Sequence, residues 1–118
     1  MKLVAYVGKD QENYGQISAL INRMECDQVI LVKDKSVADP FQNPKCKYIN
    51  VDPTIDLLSF KNDIQTKLKP YLKEDFEVAL SIASGNGKEH KALISSLLTA
   101  PVGIKLVAYT KNGIEYLT

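Results

Sequence analysis

The chain reads as a single three-layer α/β domain on a mostly parallel sheet of strand order 3-2-1-4-5-6, closed by a C-terminal antiparallel hairpin. Three observations point there: short apolar runs alternate with stretches of helical periodicity, a Gly-rich loop opens the second half, and Lys111-Asn112-Gly113 separates two terminal strand-like segments. With 118 residues, 45% of them hydrophobic, the chain falls in the usual range of one domain and can build a core, so residues 1–118 are taken as one unit.

Leu3 to Val7 is an apolar run stopped by Gly8, and Gln28 to Lys33 is a second, rich in β-branched residues; both read as buried strands. Between them Tyr14, Ile17, Leu20, Ile21 and Met24 recur at steps of three and four, which lines one face of a helix. Asp34 to Lys45, with Pro40 and Pro44, reads as a long loop before a third strand at Lys47 to Val51. Asp52-Pro53-Thr54 offers a turn and a helix N-cap. Leu57, Phe60, Ile64 and Leu68 then form an apolar stripe, which Pro70 should end near Lys69.

Glu77 to Ile82 reads as the fourth strand. The loop Ser84-Gly85-Asn86-Gly87-Lys88-Glu89-His90 follows, then a helix marked by Ala92, Leu93, Leu97 and Leu98. Gly103 to Tyr109 and Ile114 to Leu117 pair across the Asn-Gly turn. Right-handed crossovers between parallel strands, with a return to the middle after strand three, give the order above. In such sheets ligands settle where the order reverses, here between strands one and four, which brings together Gly8 to Gln16 and Ser84 to His90.

Composition narrows the chemistry. Fifteen basic residues against fourteen acidic ones leave a net charge of +1, and Arg23 is the single arginine, so unaided sequence-specific DNA reading is not expected. No apolar run approaches the ~20 residues of a membrane span, and the N-terminal run is too short for a signal peptide, so a cytoplasmic protein is expected. Cys26 and Cys46 form no metal or redox motif; free thiols suit a reducing compartment, although spacing alone leaves a disulfide open. With one histidine and no cysteine cluster, neither a metal site nor a cofactor is expected.

The Gly-rich loop is the strongest candidate for chemistry. Backbone N–H groups at a helix start and the charge of Lys88 suit an anion; equally, two glycines make a tight turn and Lys88 a solvated side chain. A phosphate loop of the GxxxxGK[ST] type would need a glycine where Ile82 stands and a hydroxyl where Glu89 stands, and the first loop lacks GxGxxG spacing. His90 is a ligand contact, a general acid or a plain exposed side chain. Tyr6, Tyr14 and Tyr48 lie near strand ends, where a ring can stack on a base or simply fill the core.

The run Glu-Val-Ala-Leu-Ser-Ile-Ala-Ser-Gly-Asn-Gly-Lys-Glu-His-Lys-Ala-Leu-Ile resembles the fourth-strand motif of CRISPR-associated Rossmann-fold (CARF) domains, and the element order resembles that family across nearly the whole chain. Asn86 separates glycines that the family more often keeps adjacent, and a stand-alone or remote member without an effector domain is expected. The resemblance implies a Rossmann-like sensor of antiviral defence, a homodimer that binds a cyclic oligoadenylate between its copies. The ligand-binding residues it nominates are Gly8, Lys9 and Asp10 with Ser84, Gly85, Asn86, Gly87 and Lys88; His90, beside them, is added from the loop reading. Some members cleave their ligand, and here Lys88 matches that catalytic role, so a metal-independent ring nuclease is one alternative. A non-catalytic oligomerisation or scaffold domain is the other, favoured if the loop proves filled by the chain's own side chains.

Overall fold

The computed structural model describes residues 1–118 as six strands and three α-helices: β1 (Lys2–Val7), α1 (Tyr14–Arg23), β2 (Val29–Asp34), β3 (Cys46–Val51), α2 (Leu57–Leu68), β4 (Glu77–Ser81), α3 (Gly87–Thr99), β5 (Gly103–Thr110) and β6 (Gly113–Tyr116). Short 3-10 turns at Gln11–Asn13 and Lys69–Tyr71 precede α1 and follow α2. The sheet order is β3-β2-β1-β4-β5-β6, parallel throughout except for the β5-β6 pair, as the sequence predicts.

Alternation along the central strands divides the core. Val4, Tyr6, Ile30 and Val32 face α2 and α3 and meet Phe60, Ile64, Leu93 and Leu97, while Leu3, Ala5, Val7 and Leu31 face α1 and meet Ile17, Leu20 and Ile21. Burial of each such side chain is worth about 1.5–3 kcal/mol, which is why the central strands carry hardly a polar residue. No helix spans the 11-residue link from β2 to β3. Instead Val37 and Phe41 pack on the α1 face of the sheet. The Tyr48 hydroxyl holds the link by accepting from Phe41 N–H (2.8 Å) and donating to Phe41 C=O (2.9 Å). Lys33, buried, donates to the Val37 carbonyl from below.

Two local expectations shift. The cap of α2 is Asp56, which accepts from Ser59 N–H at 3.0 Å, whereas Asp52 closes a separate turn by accepting from Thr54 N–H and Oγ1. At the hairpin Gly113 alone takes a positive φ, +96°, with Lys111 and Asn112 on the negative side. That pattern belongs to an ordinary turn finished by a glycine bulge. Pro70 behaves as expected: α2 stops at Leu68 and the chain passes into the Lys69–Tyr71 turn. No helix is long and apolar enough to cross a membrane.

Candidate functional site: a polar cleft at the reversal of strand order

The loops after β1 and β4 are bolted together by one carboxylate. Asp10 Oδ1 accepts from the Ser84 hydroxyl (2.7 Å) and from Gly85 N–H (3.0 Å), and its Oδ2 accepts from the Asn13 amide (2.6 Å). Ser84 Oγ, fully buried, accepts in turn from Gly8 N–H at 2.9 Å, and the Tyr14 hydroxyl donates to the Gly8 carbonyl. Gly8 must be glycine here, since a Cβ would lie 2.9 Å from Asp10 Oδ1 and 3.1 Å from Gly85 Cα. Burial pushes the Asp10 carboxyl up, but the hydrogen bonds from Ser84, Asn13 and Gly85 together outweigh it and hold the group below the usual carboxylate range.

The rest of the Gly-rich loop is equally self-satisfied. Asn86 and Glu89 form a capping box at the start of α3, with Glu89 N–H donating to Asn86 Oδ1 and Asn86 N–H donating to Glu89 Oε1, both at 3.0 Å. His90 Nε2 stands 2.8 Å from the Ser84 carbonyl, which can only accept, so that nitrogen carries the proton. The backbone N–H groups of Ser84, Gly87 and Lys88 are the loop donors without a partner.

Lys88 points elsewhere. Its ammonium donates to the carbonyls of Pro53 (2.8 Å) and Ile55 (2.5 Å) and lies 6.0 Å from the Phe60 ring, tying α3 to the segment before α2. Lys88→Ala is therefore expected to lower stability by about 1–2 kcal/mol, read as a lower midpoint in urea.

Above this junction, outside the C-terminal ends of β1 to β4, lies a cleft of about 650 Å³ with no hydrophobic side chain in its wall. Of the residues nominated from sequence, Lys9, Asp10, Gly85 and Asn86 line it; Gly8, Ser84, Gly87, Lys88 and His90 support the wall from behind or beside it. Four carboxylates, Asp10, Asp34, Asp52 and Glu89, share the cleft with two ammonium groups, Lys9 and Lys35. Lys35 leans on Asp52 at 3.3 Å, and Asp52 is held down to about 2 by Thr54 first and Lys35 after it. No three acidic, histidine or cysteine side chains converge as metal ligands would.

Sequence reasoning missed Asp34, Lys35, Ser36, Asp52 and Glu89 as cleft residues, although a lone acid closing an apolar strand, as Asp34 does, was a readable signal. Of the two readings open to Tyr6, the ring fills the core and is not available to stack on a base. The Tyr6 ring is fully buried beneath Gly85, and its hydroxyl meets no partner in full hydrogen-bond geometry, although the Glu89 carboxylate lies close enough to act on it. Burial, reinforced by the nearby charges of Glu89, Asp34 and Asp10, pushes the phenol strongly up and keeps it protonated. Tyr6→Phe removes an unsatisfied buried group at little change of shape, so its stability in urea is expected to stay level or rise by up to about 1 kcal/mol. Tyr14 packs edge-on against Phe41 at 5.9 Å, a core contact.

Comparison of the chain with protein-family models, with curated proteins and with solved structures finds no match.

Proposed function

We propose that this domain is a nucleotide-binding sensor module that binds a cyclic oligoadenylate-type ligand at the interface of a homodimer, where the clefts of the two copies frame it. The observation that carries the reading is the cleft at the reversal of strand order, rich in charged and hydrogen-bonding side chains and framed by the two loops that Asp10 joins. Lys9 and Lys35 offer charge to phosphate, and the carboxylates offer acceptors to sugar hydroxyls and exocyclic amines. Dimerisation is supported by exposed apolar side chains on α3 and the hairpin: Ile94, Ile104 and Leu106 are partly buried against the core, and Leu98, one turn after Ile94, is 65% exposed. Leu117, opposite Leu106 in the continued hairpin register, is 62% exposed.

Ligand cleavage is not part of this reading. Lys88 already serves two carbonyls, so the ammonium groups left in the cleft are Lys9 and Lys35, the latter paired with Asp52. A second reading, the non-catalytic oligomerisation domain, is favoured by one observation: Asp10 and Glu89 already fill loop donors that a phosphate would use.

A thermal-shift screen with cyclic oligoadenylates, cyclic dinucleotides and ATP separates the two. A ligand at 100 times its Kd adds about 2.7 kcal/mol to the folded state, a shift of several degrees for a domain of this size. A shift with a cyclic oligoadenylate, diminished in a Lys9→Ala/Lys35→Ala variant, is the expected result. A flat screen on folded protein leaves the oligomerisation domain.

A further inference from the structure

Phe76 is the most exposed large apolar side chain of the domain, at 94%. It immediately precedes β4, so it stands at the N-terminal end of the parallel strands, the end opposite the cleft. The chain is pinned on both sides of it. Asp75 accepts from the Lys2 ammonium at 2.8 Å, and the Phe76 carbonyl accepts from Gly103 N–H at 2.7 Å. The ring is therefore held out in water by a fixed backbone, which lowers the ordering cost of any contact it makes. One apolar side chain at a surface is ordinary; the surroundings of this one are not. Glu74 and Glu77 flank it, both exposed and neither in an ion pair.

Beside this segment, between the C-terminal ends of α2 and α3, lies a groove of about 430 Å³. Asp75 N–H donates to the carbonyl of Leu72, a groove residue, at 3.3 Å, so ring and groove are neighbours on one surface. Leu72, Ala100 and Pro101 make the groove apolar, and Lys69 and Lys73, exposed and without ion pairs, add positive charge to it. At 94% exposure Phe76 does not sit in the groove of its own chain. An aromatic ring between acids and an apolar groove between lysines are complementary in shape and in charge. We infer that two copies of the chain pair about a two-fold axis, each seating Phe76 in the groove of the other, with Glu74 and Glu77 of one copy against Lys69 and Lys73 of its mate. Each copy supplies one ring and one groove, so the contact is self-complementary and closes. It lies away from the cleft and stands whether or not a nucleotide binds there.

Sedimentation equilibrium of the full chain over a range of concentrations tests the pairing. Phe76→Ala is expected to weaken the association by at least about 30-fold, the scale of a buried aromatic anchor. Because the ring is exposed, its circular dichroism and urea midpoint should match wild type. Two charge variants make the assignment specific. Glu74→Lys/Glu77→Lys and Lys69→Glu/Lys73→Glu should each fail to pair alone, since like charges then face each other in both halves of the contact. Mixed one to one, they should pair again, because each ring segment then meets a groove of opposite sign. A mass profile that Phe76→Ala leaves unchanged, or a mixture of the charge variants that does not associate, overturns the pairing and leaves the nucleotide reading untouched.

Discussion

Replacing Gly85 with alanine is expected to lower the stability of the fold by roughly 2–5 kcal/mol, a large share of the about 5–15 kcal/mol that holds a domain together. Two costs add. The residue sits at φ +102°, a conformation that side chains of L-residues rarely adopt. A Cβ built there falls 2.8 Å from Tyr6 Cδ1 and 3.2 Å from His90 Nε2. Neither ring can easily retreat, because Tyr6 is fully buried and His90 is bonded to the Ser84 carbonyl. Gly15 is the control: it lies in α1 with nothing within 4 Å of its missing Cβ, so Gly15→Ala should instead stabilise by about 0.5–1 kcal/mol through helix propensity. Urea titrations of the two variants should move in opposite directions from wild type.

Asp10→Ala is expected to cost about 2–4 kcal/mol, because it strips the acceptor from the buried Ser84 hydroxyl and from Gly85 N–H at once. The loss should be local in origin: hydrogen exchange at Gly8 and Gly85 rises before that of the central strands. The same residue sets part of the acid limit. Its carboxyl is held below 3.8 in the folded chain, so its contribution is complete above the unfolded value and disappears as pH falls through the lower folded value. Asp27, Asp52 and Asp56 are depressed too and act in the same direction. Stability should therefore hold from neutral pH to about pH 4 and fall below it, and Asp10→Asn, lower to begin with, should fall less steeply.

How much of this could be read in advance follows from which interactions are local. The sheet order was legible because Gly8, Pro44, Pro70 and Asn112-Gly113 punctuate the chain and the right-handed crossover rule leaves few windings for the apolar runs between them. That winding also brought Asp10 to Ser84 and Gly85, 74 and 75 residues away, without any motif to announce the contact. The direction of Lys88 was not legible, since its carbonyl partners lie 35 and 33 residues back in a segment with no periodic signal. Asp52 was mistaken for the cap of α2 because Asp52 and Asp56 both start turns, and only the helix phase set by Phe60 and Ile64 favours Asp56. The burial of Glu89 was not legible either, since it depends on Tyr6, which lies far back in the sequence on β1.

The most direct test of the central claim is amide mapping by NMR while cyclic tetraadenylate is titrated into the uniformly labelled chain. Perturbations concentrated at Lys9 to Asn13, Asp34 to Ser36 and Gly85 to Glu89, saturating with ligand, are the predicted result. A spectrum that does not change, or changes confined to the α2 and α3 surface around Leu58 and Lys91, would contradict a nucleotide site in the cleft.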